Sequence, residues 1–571
     1  MKMMNERGAL SALSALSALS ALSALSALGA LLPALSPLAA AAPPAHPTHE
    51  ARLAALYSPT PPLSDLGEPT LSVRVAERQR RLGLSAKGGL TLYLNADPGA
   101  QVTLGAQAAR WDVALEGETT PSARRWWVPL ERLGAAPEEP IAAREAWWRD
   151  QGYSPNRLTA GMILSGAEGG ALDARATLLA LPAADAAAAR ALAERLEDLD
   201  GVRRAPLESL ARPARGALRL TVGDLKRPAP LSSLALTARD VVWAAPAGEG
   251  PLELTTWDER GRPRVTPYEG ELYVVVTDEG LAAVSVLSAE RLVELVVPSE
   301  LYTSAPLEAL KAQAVSARGQ LITKLGARHL ADPYHLCSEV HCQAYRGAAA
   351  RHPRSTEATQ STRGLLAVGA GGVPVDTVYS STCGGHTEAY HELWGGAPRP
   401  HLLGVEDNAA APPAPLTESG VEALLSLPAA AFCERPARTF RWTVRRAQQE
   451  LNAALVAHLG ERGDVGPLVR VEAARRGASG RALDVRYVGE RGEVVARGDL
   501  LNRQILGLKS SLWVAREETR GGRREWIFNG GGFGHGVGLC QHGAMGMAEA
   551  GRSHVDILAH YYAGASLRRV W

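Results

Sequence analysis

Between Gly530 and Ala544 the chain reads Gly-Gly-Gly-Phe-Gly-His-Gly-Val-Gly-Leu-Cys-Gln-His-Gly-Ala, with seven glycines interleaved among His535, Gln541 and His542. Glycine has no Cβ and reaches positive φ, so so dense a run sacrifices backbone order and implies that something sits close against it. Phosphate is not indicated, because the P-loop pattern is absent and no strand with an acidic residue accompanies the glycines. The alternative is a glycine-rich turn before a helix that opens near Ala544. A second group lies on a segment with helical spacing, where Lys311 and Arg318 are two turns apart. At about 100° per residue both fall within the arc of Leu307, Leu310, Ala314, Val315, Leu321, Ile322 and Leu325. Charges on an apolar face need carboxylate partners or an aqueous cleft, and snorkelling at a core edge is the plain alternative. Glu300 is the nearest acidic candidate to face them.

The elements that would hold these residues follow from periodicity and punctuation. Ser304 is a candidate cap for the helix, Pro306 suits its first turn and Glu308 lies near its positive end. Ala309, Ala312, Gln313, Ser316 and Gln320 form the opposite face. Upstream, Glu271–Val276, Ala282–Leu287 and Leu292–Val297 are expected as strands, as are Leu71–Ala76 and Leu90–Asn95. Leu158 to Val222 suggests strand, strand, helix, strand, with an alanine-rich helix capped by Asp185.

The chain has 571 residues, enough for about three or four domains, with 46% apolar residues and a net charge of +1. That balance gives no support for nucleic acid as a partner. After Met1–Arg7 no charged side chain other than histidine appears until Glu50, and Ser-Ala-Leu triplets fill Ser11–Leu28. This is the pattern of an export signal, with Ala39-Ala-Ala41 as a cleavage site. Serine at every third position keeps the segment weakly hydrophobic and favours cleavage over retention as a membrane anchor. The expected location is the cell envelope. Five cysteines follow, Cys337, Cys342, Cys383, Cys433 and Cys540. An odd number in an oxidising compartment leaves a thiol unpaired, which favours a metal site.

The expected fold class is α+β and multidomain: a signal over 1–41, a Pro/Ala-rich linker over 42–70, a small β-rich module over 71–150, an α+β module over 151–250, and a mixed α/β catalytic-type domain over 265–571. The α+β module faintly resembles the sporulation-related repeat that binds peptidoglycan.

Three blocks carry a more specific resemblance: Val297-Pro-Ser-Glu-Leu through Arg318, Cys383-Gly-Gly-His-Thr-Glu388 with Trp394-Gly-Gly396, and Gly532-Phe-Gly-His-Gly-Val-Gly-Leu-Cys-Gln-His-Gly-Ala544. In that order they resemble the stage II sporulation protein D and amidase-enhancer family, SpoIID/LytB. The resemblance implies a lytic transglycosylase that cuts peptidoglycan glycan strands stripped of their peptides. Glu300 falls on the family's catalytic glutamate, and Lys311 and Arg318 on its helix lysine and arginine. Leu301-Tyr302 departs from the family's usual Met-Pro. A single carboxyl group would protonate the glycosidic oxygen and then take the proton of the sugar's C6 hydroxyl. That role needs a raised pKa, which Lys311 and Arg318 would lower, unless they bind the glycan's lactyl carboxylates instead. His386, His535 and Gln541 are the other expected substrate-binding residues.

The zinc site of some family members maps onto His329–Cys342. Cys337, His341 and Cys342, with His329 or His335 as fourth ligand, suit tetrahedral zinc in a structural role. A Cys337–Cys342 disulfide is the alternative. Cys383, His386 and Glu388 together suggest a nucleophile with its base, yet such a Cys-Gly-Gly-His segment more often forms a turn. Ser553–Asp556 caps a final helix, and Tyr561-Tyr562 pack the core. Three functions result: glycan cleavage as the expectation, a non-catalytic enhancer partnering a cell-wall amidase as the alternative, and a metal or cysteine hydrolase as the least favoured.

Overall fold

Alternating apolar residues in Thr70–Gln79, Glu271–Thr277 and Gly280–Ser288 turn every second side chain toward a common interior, and in the computed structural model these segments are neighbours in one seven-stranded sheet. Its order is Leu336–Cys337, Thr70–Gln79, Gly280–Ser288, Glu271–Thr277, Val241–Pro246, Leu90–Leu94 and Gln101–Leu104. A six-stranded sheet, in the order Arg227–Arg239, Arg215–Asp224, Arg110–Thr120, Arg81–Ala86, Leu252–Trp257 and Pro263–Tyr268, contributes to the same core. Leu71, Val73 and Val274 enter that core from the first sheet, and Leu84, Trp111 and Leu218 from the second. The structure describes residues 56–571 apart from 96–100, 105–109, 134–137, 166–170, 201, 203, 225–226, 327, 408–416, 427–430 and 436. The expected signal and much of the linker lie outside the described residues.

The sheets cross the module boundaries drawn from the sequence. Thr70 stands opposite Ser288 in an antiparallel pair, and Val242 opposite Leu94. The segment 71–150 therefore shares its sheets with strands from 215–288. The α+β unit begins earlier than expected, with Ala123–Leu133. This strand is followed by helix α1 (Glu138–Asp150), Asn156–Ala160, Ala176–Ala183, helix α2 (Ala186–Asp200) and Leu207–Arg212. Their sheet runs fourth, first, third, second, the split βαβ arrangement. Its core holds Val128, Trp148, Leu179 and Leu196. Asp185 caps α2, accepting from Ala188 N at 2.8 Å.

The segment expected as a strand at 292–297 is helical. Helix α3 (Ala289–Glu300) starts on Ser288, whose hydroxyl accepts from Arg291 N at 3.4 Å. Leu292, Val293, Leu295, Val296 and Val297 are all buried. An apolar run enclosed on every side has no period to separate helix from strand. Helix α4 (Leu307–Lys324) is capped at Pro306 without a side-chain bond, so Ser304 does not serve. Its expected polar face is buried as well: Ser316 O accepts from Thr377 Oγ1 at 2.8 Å, and Gln313 and Gln320 are enclosed. Around α4 pack α3, α5 (Pro353–Ser361), α6 (Gln541–Glu549) and α7 (His554–Tyr561). Ser553 and Asp556 form the capping box of α7, and Tyr561 and Tyr562 are buried behind it.

Two three-stranded sheets complete the chain, one from Arg441–Ala447, Arg523–Gly531 and Trp513–Arg520, the other from Leu468–Arg476, Ala482–Gly489 and Gly492–Arg497. They share a separate core around Tyr487, Trp513, Trp526 and Phe528. Among the described residues no helix is long and apolar enough to cross a membrane.

Candidate functional site

Glu300, the last residue of α3, lines a cleft of about 1970 Å³ to which the α+β unit contributes Arg132 and Trp147. Burial pushes its carboxyl pKa above the ordinary value. The Ala344 N–H, which donates to Oε1 at 2.6 Å, the Tyr379 hydroxyl and the charges of Lys324 and Arg346 oppose that shift without reversing it. Three carboxyl groups line the cleft among the described residues. Glu131 pairs with Arg144 and Asp376 with Arg399 at 2.6 Å, whereas Glu300 has no ion pair. Burial therefore shifts Glu300 toward its neutral form, whereas the charge of Arg399 holds Asp376 below its ordinary value despite burial.

The backbone behind Glu300 is fixed from α6. Gln541 Nε2 donates to Glu300 O at 3.1 Å and to Gln313 Oε1 at 3.2 Å. The glycine run that leads into α6 is packed against the protein's own backbone. Tyr379 pairs in parallel with Leu539 and Ser380 with Cys540, while Thr382 bridges Phe533 and Glu388 bridges Val537. At Gly538, φ is +70° and a Cβ would lie 2.1 Å from Val378 O. At Gly536, φ is +79° and a Cβ would meet the Arg481 guanidinium at 2.2 Å.

His535 and Gln541 line the cleft, as does His542. His542 Nδ1 donates to the Ser381 carbonyl at 2.9 Å, so Nε2 carries the lone pair. That Nε2 is buried without a protein partner, and burial lowers the imidazole pKa, keeping it neutral. Burial also pushes His535 down to about 4, and its Nδ1 accepts from Val537 N at 3.0 Å. His386 is not in the cleft: it is buried, with Nδ1 2.7 Å from Thr387 O. Glu388 is buried on Ser479, whose hydroxyl donates to it at 2.6 Å, so Cys383–Glu388 is a structural turn.

Lys311 and Arg318 are not brought to Glu300 and do not line the cleft. Arg318 is fully buried and forms a two-pronged pair with Glu290, Nε to Oε1 and Nη2 to Oε2, both at 2.8 Å. Its Nη1 donates to Leu365 O at 3.1 Å. Lys311 Nζ meets Glu308 Oε1 at 2.7 Å. The acidic partners come from the first turns of α3 and α4. Sequence reasoning passed over Glu290 because that segment was expected as a strand.

His329, Cys337, His341 and Cys342 bring one donor atom each to within 4.8 Å of one another. Cys337 Sγ lies 3.6 Å from His341 Nδ1, and Cys342 Sγ lies 3.4 Å from His329 Nε2 and 3.8 Å from His341 Nδ1. A tetrahedron with ligands about 2.0–2.3 Å from its centre has edges of about 3.3–3.8 Å, so this donor set fits a metal ion. His329 Nδ1 meets Asp332 Oδ2 at 2.9 Å, which orients Nε2 inward, as carboxylates do behind ligating imidazoles. His335 is not among the clustered donors, and its Nδ1 lies 3.1 Å from Ser72 N and 2.8 Å from Ser72 Oγ. Both cysteines are free thiols. Ala344, whose N–H holds Glu300, lies in the loop that follows Cys342. Sequence reasoning also missed Lys324, Gln343 and Tyr379. Tyr379 lies just before the Cys383 turn, and its hydroxyl meets Gln343 Oε1 at 2.9 Å.

Residues 277–368 match the family model described as stage II sporulation protein, and residues 388–538 match a domain of unknown function, DUF8618. An uncharacterized protein of Brachyspira hyodysenteriae is 28% identical over 303 residues, covering 52% of this chain and 72% of that one. The stage II sporulation protein D of Bacillus amyloliquefaciens is 28% identical over 293 residues, covering 48% of this chain and 72% of its own. The amidase enhancer of Bacillus subtilis is 25% identical over 299 residues, which are 48% of this chain and 39% of the relative.

Proposed function

Because this chain belongs to the stage II sporulation protein D and amidase-enhancer family, we propose that it acts on the cell wall as a lytic transglycosylase, cleaving peptidoglycan glycan strands with Glu300 as general acid and base. The observation that carries this reading is the cleft's carboxyl inventory: among the described residues Glu300 alone lacks an ion pair, and its pKa is raised by burial. Hydrolytic glycosidases use two carboxyl groups, one acting on the leaving group and one on water or the sugar. One free acid suits a reaction in which the sugar supplies its own nucleophile. Protonated Glu300 gives its proton to the glycosidic oxygen as the C1–O bond breaks. The resulting carboxylate then takes the C6 hydroxyl proton while O6 bonds to C1, closing an anhydro ring with no water consumed.

The cleft's other lining residues suit a glycan. Trp394 and Phe533 are exposed there, 42% and 45%, and offer faces on which sugar rings stack. Arg328 and Arg346 supply charge for the lactyl carboxylates, the role expected from Lys311 and Arg318. We assign zinc to His329, Cys337, His341 and Cys342. Four protein donors leave no open position, so the ion is structural. Its contribution is to hold the loop that presents the Ala344 N–H to Glu300. Action on peptidoglycan would put the protein outside the cytoplasm, as the expected export signal over 1–41 also would, with a cell-wall amidase as a partner of the same pathway.

The test is mass analysis of products from purified glycan strands without peptides. Anhydro ends support the proposal, and water-added ends overturn it. The absence of products together with stimulation of a separate amidase supports the enhancer function that the Bacillus subtilis relative's name describes.

A further inference from the structure

Cys383, Asp407, Cys433 and Cys540 come from four separate segments of the chain and meet in its interior, each with no exposed surface. Their donor atoms all lie within 4.8 Å of one another. Cys383 Sγ and Cys433 Sγ are 3.6 Å apart and not joined. Thiolates about 2.3 Å from a common centre in tetrahedral array stand about 3.8 Å apart, so this spacing leaves room for an ion between them.

The surroundings of Cys540 are those of anionic sulfur. Cys540 Sγ accepts two backbone N–H groups, from Cys383 at 3.1 Å and from Gly543 at 3.3 Å, and it caps the N-terminus of α6. Asp407 is held at both oxygens: Cys433 N donates to Oδ2 at 2.7 Å, and the Tyr561 hydroxyl donates to Oδ1. Gly543 keeps this arrangement open, because a Cβ there would lie 2.0 Å from Tyr561 Oη and 2.4 Å from Asp407 Oδ1. The nearby cation, Arg441, donates instead to the carbonyls of Gly384, Phe440, Leu424 and Leu425. Among the described residues no cation is hydrogen-bonded to this carboxyl group or to the three thiols around it. Three thiols also cannot close in pairs, whereas one ion holds all of them.

We propose that Cys383, Cys433, Cys540 and Asp407 form a second, closed metal site for a soft divalent ion of the zinc class. On binding, each thiol releases its proton to solvent and the sulfur lone pairs bond the ion, with no change of oxidation state. The site ties the Cys383 turn to the start of α6, where Gln541 holds the Glu300 carbonyl. It is separate from the His329 cluster and independent of the glycan-cleavage proposal.

The test is zinc released from the purified full chain on denaturation, measured with a chromophoric chelator. Two equivalents are expected from the wild-type chain, one from the Cys337→Ser/Cys342→Ser double variant, and one from Cys433→Ser. A wild-type chain that releases one equivalent, lost entirely in the double variant, overturns the site. So does a Cys383–Cys433 disulfide mapped in peptides prepared without reductant. Should the serine variants fail to fold, cobalt(II) loaded into the wild-type chain distinguishes the cases by its thiolate charge-transfer band. Five cobalt-bound thiolates are expected, and two overturn the proposal.

Discussion

Replacing Arg318 by Met removes two charge-assisted bonds to Glu290 and one to the Leu365 carbonyl, all inside a fully buried site. Each bond to a charged group contributes about 1.5–3 kcal/mol, so the pair alone accounts for about 3–6 kcal/mol. The methionine stem retains part of the packing. Glu290 keeps the Gly364 N–H at 2.9 Å and the Trp571 indole at 2.8 Å, which softens its isolation. The expected loss is about 3–5 kcal/mol, the range for stranding one partner of a buried pair. Arg318→Met/Glu290→Gln should recover at least about half of it, because no charge is then stranded. The assay is urea unfolding of the three proteins followed across pH. Burial tends to raise the Glu290 pKa, but the charge and hydrogen bonds of Arg318 outweigh it and hold the folded value below the ordinary one. The pair's contribution is therefore complete above the unfolded glutamate value of about 4.3 and is lost as pH falls through the folded value, so wild type and Arg318→Met converge on acidification. An unchanged midpoint for Arg318→Met, with weakened glycan binding, would refute the structural role of this pair.

Four further outcomes follow from the same geometry. Because burial raises the Glu300 pKa, activity should fall on the alkaline side with a midpoint above the ordinary glutamate value, read from kcat/KM against pH. A raised carboxyl pKa also costs stability as pH climbs through it, so Glu300→Gln should unfold no earlier than wild type at neutral pH. Chelation should lower the melting temperature and, through the loop that carries Ala344, reduce turnover in protein that stays folded. Gly538→Ala should cost about 2–4 kcal/mol by urea unfolding, from its left-handed φ and the contact with Val378 O, and a neutral result would contradict the close packing described.

What the sequence made legible divides by the range of the interaction concerned. Strands such as Glu271–Thr277 and caps such as Asp185 and Ser553 depend on neighbouring residues, and they stand where periodicity and capping chemistry put them. The α+β class with several sheets was likewise legible. The run 292–297 was not, because a helix buried all round has the same composition as a buried strand. That error hid Glu290, and Arg318 then pointed wrongly to Glu300. The glycine run announced close approach but not its partner, since the segment from Val378 to Glu388 lies far away in sequence. Cys337, His341 and Cys342 signalled a metal by spacing, while the choice between His329 and His335 depended on Ser72, a residue of a distant strand. Asp407 and Cys433 gave no local signal at all.

The central claim rests on Glu300, and its most direct test compares wild type with Glu300→Gln on peptide-free glycan strands, products being read by mass spectrometry at a pH where both are folded. The expected result is anhydro-ended fragments from wild type and intact strands from the variant, with glycan binding and melting temperature preserved. Anhydro-ended fragments from Glu300→Gln at the wild-type rate would contradict the account.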